Sequence, residues 1–401
     1  MFSVKLKSIL SRSRNPVRAA VELRRGGRQC NCHPNFRELL ILLSALLLSA
    51  CLSPASPNAP TFTPTTQPPG TNHPATPPAG ANHPTTQPAS ANHPTTQPPT
   101  PTPTLTLTAT STPGPYAAYT IAHLTSRTYG GGELQIVETF AVGQTFTRYI
   151  ISYPSDGLTI YGFMNVPHAD GPFPVVIALH GYIDPAVYGT LDYITRYADS
   201  LAGAGYLVLH PNLRGYPPSD DGDNLFRVGM AIDVLNLIAL VKAQGGQPGP
   251  LAAANPELIG LWGHSMGGGI SLRVLTASPE VKAAVLYGAM SGDEQKNYER
   301  IYSVFSNGAR GLEELNAPAE AFAEISPIFF LDRVTAAVSI HHGEADDVVP
   351  LEWSLDLCDR LTALNKPVEC FTYPGQPHTF VGEGDTLFVE RVVEFFDKRL
   401  K

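Results

Sequence analysis

Ser265 lies in the stretch Gly263-His264-Ser265-Met266-Gly267, with a glycine two residues away on either side. That spacing can seat a serine on a sharp strand-to-helix turn, where flanking side chains would collide with neighbouring backbone. A serine hydroxyl is a weak nucleophile at neutral pH. It needs a base to take its proton and an acid to orient that base. Both are available downstream. "IHHGEADDVVP" places Asp346 just after an apolar run, and "TYPGQPHTF" places His378 in the loop after the next one. In folds that seat a serine on such an elbow, the chain order is serine, then acid, then histidine, each after a later strand. The chemistry that these types and spacings suggest is acyl transfer to a serine.

Such groups must be held by elements, and the elements are legible from about residue 145 onward. "TFTRYIISYPSDGLTIYGFMNVP" reads as two strands broken at the turn Ser155-Asp156-Gly157. "PVVIALHG" is a short apolar run of the kind that forms a buried strand. "LDYITRYADSLAGAG" and "VGMAIDVLNLIALVKA" have helical spacing, with the strand "YLVLHPNLRG" between them. "ELIGLWGHS" is a strand that runs into the helix "MGGGISLRVLTAS". "VKAAVLYGAM", "AAVSIHHGEAD" and "VECFTYPG" read as strands, and "LEWSLDLCDRLTALN" and "TLFVERVVEFFDKRL" as helices. This alternation predicts an α/β fold with a mostly parallel central sheet covered by helices on both faces. Residues 291–330 break the rhythm and read as an inserted cap or lid.

The nucleophile segment "HSMGG" and the acid segment "HGEADDVVP" resemble those of α/β-hydrolases in the prolyl oligopeptidase and dienelactone hydrolase group. "SDGLTIYGFMNVP", "PVVIALHGY" and "NLRGYPPSD" are similar to segments of that group, in its order, so the resemblance covers roughly residues 145–400. It implies Ser265 as nucleophile, Asp346 as orienting acid and His378 as base. The pattern H-G-x-x-D selects Asp346 over Asp347. The resemblance also implies an oxyanion hole made by the backbone N–H groups of Met266 and of Tyr182. Members of the group often have a second glycine where Tyr182 stands, so here a phenol becomes part of the pocket wall. The implied activity is that of a serine hydrolase acting on a peptide or ester bond, with a small acyl or peptide substrate and no metal or organic cofactor. A carboxylesterase or dienelactone-hydrolase-like esterase is the alternative, and a non-catalytic surface binding protein is the reading from another class. Nothing before residue 145 has the composition of the β-propeller found in full-length prolyl oligopeptidases.

The other candidate groups read as scaffold. His264 neighbours the nucleophile, but on a sharp elbow its side chain should point away from that of Ser265, which suits packing. His180, His210, His341 and His342 end strands, and Arg214 reads as a loop anchor.

The amino-terminal part follows different rules. Nine Lys or Arg precede residue 51 against two acids, so the first 50 residues carry +7; the whole chain is −8, which leaves −15 on the remainder. An acidic body of that kind disfavours nucleic acid as a partner. "LLILLSALLLSAC" is too short for a permanent span, which wants roughly 18–20 apolar residues. Behind its positive flank it suits a signal peptide over residues 1–50. Its end, Leu48-Ser49-Ala50-Cys51, resembles the bacterial lipobox, which implies lipidation of Cys51, export and membrane anchoring at the cell envelope. Residues 51–120 read as a disordered Pro/Thr-rich linker with decapeptide repeats such as "ANHPTTQPAS". Its repeated His73, His83 and His93 read as linker, not as metal ligands. The catalytic domain is expected over residues 121–401. Cys358 and Cys370 could form a disulfide in an exported protein, although sequence does not give their separation.

Overall fold

The computed structural model describes residues 114–401. The expected signal peptide, Cys51 and the histidine-bearing repeats lie outside the described residues.

A sheet of nine strands organises the described part, in the order β1-β2-β3-β5-β4-β6-β7-β8-β9. β1 (Gln135–Val142), β2 (Phe146–Ser155) and β3 (Leu158–Pro167) form an antiparallel meander. The expected turn joins β2 to β3 through Asp156 and Gly157, both at positive φ (51° and 83°). Two positive values are what a tight two-residue hairpin demands, and an Asp-Gly pair supplies them at low cost. β3 pairs antiparallel with β5 (Leu207–Pro211). From β5 the sheet is parallel through β4 (Phe173–Leu179), β6 (Ala254–His264), β7 (Ala283–Tyr287), β8 (Ala337–Gly343) and β9 (Val368–Tyr373).

The helices are α1 (Ile121–Ser126), α2 (Thr195–Gly203), α3 (Val228–Gln244), α4 (Met266–Ala277), α5 (Glu294–Arg300), α6 (Leu312–Leu315), α7 (Ala319–Ile325), α8 (Leu351–Ala363) and α9 (Gly382–Leu400). They cover both faces. Along β4 the pleat sends Val175, Ile177 and Leu179 to one core, which α3, α4 and α8 share. Val176 and Ala178 point to the opposite core, which α2 and α9 close. In α9, Phe388, Val392, Phe395 and Phe396 recur at the spacing of one helical face and are all buried. Two-sided burial is why these strands read as continuous apolar runs.

The structure differs from the sequence reading at both ends of the described part. α1 and β1 occupy residues for which no element was expected. Every residue of β1 is exposed, so no buried face imposes a pattern on its sequence. α9 begins at Gly382, ahead of the expected start at Thr386, because its first turn is polar and carries no apolar stripe. The segment 291–330 lies between β7 and β8 and holds α5 to α7, with a π-helical turn at Ile301–Phe305. Cys358 in α8 is bonded to Cys370 in β9.

Candidate active site

The strand order reverses around β4. The chain places β5 on one side of β4 and then crosses to lay β6 on the other. A crevice opens outside the carboxyl ends of strands at such a switch point. Here the loop after β4 carries Tyr182, and the turn after β6 carries Ser265.

Ser265 has φ 54° and ψ −115°, outside both helix and strand, between the end of β6 and the first residue of α4. A non-glycine residue there is strained and must be held by its surroundings. Its N–H donates to the Tyr287 carbonyl at 2.9 Å, and its own carbonyl accepts from Gly268, Gly269 and Met290 at 3.0–3.2 Å. The framing glycines are required by space. A Cβ on Gly263 would lie 2.4 Å from the Gly267 carbonyl oxygen, and one on Gly267 would lie 2.4 Å from that of Leu179.

Asp346 follows β8, and His378 follows β9. His378 Nδ1 donates to Asp346 Oδ2 at 2.7 Å. His342 Nε2 lies 3.1 Å from the same oxygen, and the Val348 and Val349 N–H groups donate to Oδ1 at 2.9 and 2.8 Å. Burial by itself would raise the pKa of this carboxyl. The His342 Nε2–H, shared with the Val349 carbonyl, and the hydrogen bonds from His378 and Val349 outweigh it and hold Asp346 well below the usual carboxylate range. With Nδ1 donating to a carboxylate, a neutral His378 keeps its lone pair on Nε2, the nitrogen that can accept a proton. The neighbouring Asp347 meets the 291–330 segment instead, where its carbonyl accepts from Arg300 Nη2 at 3.1 Å.

The loop after β4 runs against the elbow, since a Cβ on Gly181 would sit 3.2 Å from Ser265 Cβ. Neither the Tyr182 nor the Met266 N–H donates to another protein group among the described residues. For Met266, the first residue of α4, a free N–H is the ordinary condition of a helix start. The Tyr182 phenol turns to the 291–330 segment, where its hydroxyl accepts from Arg310 Nη1 and its ring lies 4.7 Å beneath that guanidinium. Ser265, Tyr182, Met266 and His378 line one cavity of about 850 Å³, whose walls include Ile301 and Phe305 of that segment and Trp353 of α8.

The remaining candidates sit mainly where scaffold would be expected. Arg214 pairs with the fully buried Asp233 at 2.8 Å, although it also touches the cavity. His210 and His341 are buried, and burial pushes both pKa values down to about 3. His264 is more than packing, because its Nε2 lies 3.0 Å from the His378 carbonyl oxygen. The sequence also gave no sign that His342 reaches Asp346, or that Arg300 Nε donates to the Val348 carbonyl at 2.7 Å. No spacing rule encodes contacts between loops so far apart in the chain.

Comparison with known proteins places this geometry in context. Residues 238–401 match the prolyl oligopeptidase family. A Synechocystis sp. protein provisionally named a carboxymethylenebutenolidase is 24% identical over 243 residues, 58% of this chain and 85% of its own. An uncharacterized peptidase of Bacillus subtilis is 22% identical over 257 residues, 63% of this chain and 93% of its own. The solved structure of Pyrococcus horikoshii acylaminoacyl peptidase superposes with a TM-score of 0.52 at 24% identity, covering 64% of this chain and 42% of that one. Acetyl xylan esterase 1 of Thermoanaerobacterium sp. superposes with a TM-score of 0.50 at 17% identity, covering 66% of this chain and 88% of that one. The chain thus spans less than half the length of the acylaminoacyl peptidase, and likeness at these identities carries the fold alone.

Proposed function

We propose that this chain, which has an α/β-hydrolase fold and whose residues 238–401 match the prolyl oligopeptidase family, cleaves a peptide or ester bond of a small acyl substrate through Ser265, His378 and Asp346. One observation carries the reading: the 2.7 Å bond between His378 and Asp346 stands at a cavity that Ser265 shares. In the first step Ser265 Oγ attacks the substrate carbonyl while His378 Nε2 takes its proton. The carbonyl oxygen becomes an oxyanion and accepts from the Tyr182 and Met266 N–H groups. His378 then returns the proton to the leaving amine or alcohol, and an acyl-serine remains. In the second step water loses a proton to His378, attacks the acyl carbon and releases the acid, and Ser265 regains its proton. Asp346 stays charged throughout and stabilises the imidazolium that forms twice. The sequence of steps requires no metal or organic cofactor.

A cavity of about 850 Å³ with several apolar walls suits a compact acyl group or a short peptide. Peptidase activity is the first reading, on the strength of the matched family. Esterase activity is the second, favoured by the relative named for a lactone-opening enzyme. A panel of p-nitrophenyl esters of rising chain length beside aminoacyl-proline amides separates the two. Ser265→Ala should abolish turnover and fluorophosphonate labelling while the circular dichroism spectrum is preserved; turnover that survives the change refutes the assignment. A native chain that turns over neither class and takes no label would favour the reading as a non-catalytic binding protein.

A further inference from the structure

His264 precedes the nucleophile, yet its ring serves another part of the site. It is 1% exposed at the end of β6. Its Nε2 lies 3.0 Å from the main-chain oxygen of His378, and its Nδ1 meets the Tyr193 hydroxyl. A carbonyl oxygen only accepts, so Nε2 must carry the proton, and Nδ1 is left to accept from Tyr193. One tautomer of a neutral imidazole satisfies both partners. The ring also packs against those of His378 and Tyr287, with centroids 4.6 and 4.2 Å away.

The loop that presents His378 needs such a tie. It runs through Pro374, Gly375, Gln376 and Pro377, and the two prolines have no N–H to donate. The Gln376 carbonyl accepts from the Ala345 N–H at 3.0 Å, and the Phe380 N–H donates to the Tyr287 hydroxyl. Between these points, the bond from His264 is the one hydrogen bond to the His378 main chain among the described residues. Asp346 selects which nitrogen of His378 faces the carboxylate. How far the ring leans toward Ser265 depends on where the main chain at 378 is held.

We infer that His264 is a positioning residue for the base. It holds the His378 main chain so that Nε2 stays within reach of Ser265, and Tyr193 fixes the tautomer that allows this. The inference rests on the reading of His378 as base. Residues 264 and 265 are adjacent, so one short segment delivers the nucleophile on one side and the strut for its partner on the other. A shift of the elbow therefore moves both together.

The test uses the full chain, with p-nitrophenyl acetate turnover and the rate of fluorophosphonate labelling as readouts. His264→Phe keeps an aromatic ring but cannot donate, and kcat should fall about 10- to 100-fold with KM within about two-fold. His264→Gln can offer an amide N–H to the same carbonyl and should recover to within about five-fold of the native kcat. Native kcat in folded His264→Phe overturns the inference, and so does an equal loss in both variants. Should His264→Phe fail to fold, Tyr193→Phe takes its place. It should lower kcat at least about three-fold at unchanged KM, and an unchanged kcat overturns the inference. Activity that persists in Ser265→Ala would instead refute the catalytic reading beneath it, so the two failures are told apart.

Discussion

At the scale of single residues, the carboxylate of Asp346 does two jobs with two oxygens: one receives His378, the other the Val348 and Val349 N–H groups. Asp346→Asn keeps the second set of bonds, and so the loop, when its amide oxygen takes the place of Oδ1. Its NH2 then faces Nδ1 and can only donate, so Nδ1 must accept and the proton moves to Nε2, where it blocks the base. The expected loss in kcat is about 10³- to 10⁴-fold with a preserved fold. Steady-state kinetics beside near-ultraviolet circular dichroism measure it, and a loss below about ten-fold would remove Asp346 from that role. The serine and its framing glycines were legible because the cause of their spacing is local: a Cβ at Gly263 or Gly267 meets backbone within the elbow or the adjoining strand. Asp346 and His378 were singled out by chain order, and the structure brings their side chains into contact. The hydrogen bonds of His264 and His342 were not, since each depends on where separate loops meet in space.

At the scale of elements, the bridge between Cys358 and Cys370 fastens α8 to β9, close to the loops that present Asp346 and His378. Closing a loop of 12 residues restricts the unfolded chain, an effect of about 3 kcal/mol. Reduction should therefore lower the melting temperature by roughly 5–10 °C for a domain of this size. Scanning calorimetry with and without dithiothreitol measures the difference, and equal melting temperatures would show that the bridge contributes nothing. The central strands β4, β5, β7 and β8 were readable because burial on both faces fills them with apolar residues. The 291–330 segment was readable as an interruption of the alternation but not in its internal structure, since it is held by contacts such as those of Arg300 and Arg310 with distant loops.

At the scale of the whole molecule, His210, His264 and His341 are buried, and each has its pKa lowered from 6.5 to about 3, burial being the largest cause. Between those values the unfolded chain binds more protons than the folded one. The stabilisation from these rings is complete above pH 6.5 and is lost as pH falls toward 3, each ring contributing up to ~1.4 kcal/mol per pH unit. Urea unfolding followed from pH 7 to pH 4 should show midpoints that fall steadily, and a flat profile would mean that these rings titrate normally. Composition also bears on location. Leu48-Ser49-Ala50-Cys51, behind a front of +7, supports our proposal of a lipid anchor at the cell envelope. Cys51→Ser should move the protein from the membrane fraction to the soluble one, and an unchanged distribution would count against the anchor.

One feature of the sheet bears on handling. β1 ends the strand order, and its outer backbone edge has no strand beside it among the described residues. Ile136, Val137, Phe140 and Val142 are 41–73% exposed along it, with Glu138 as its single charge. Such an edge is a template for strand addition between molecules. A lysine introduced there would guard against such pairing in concentrated solution.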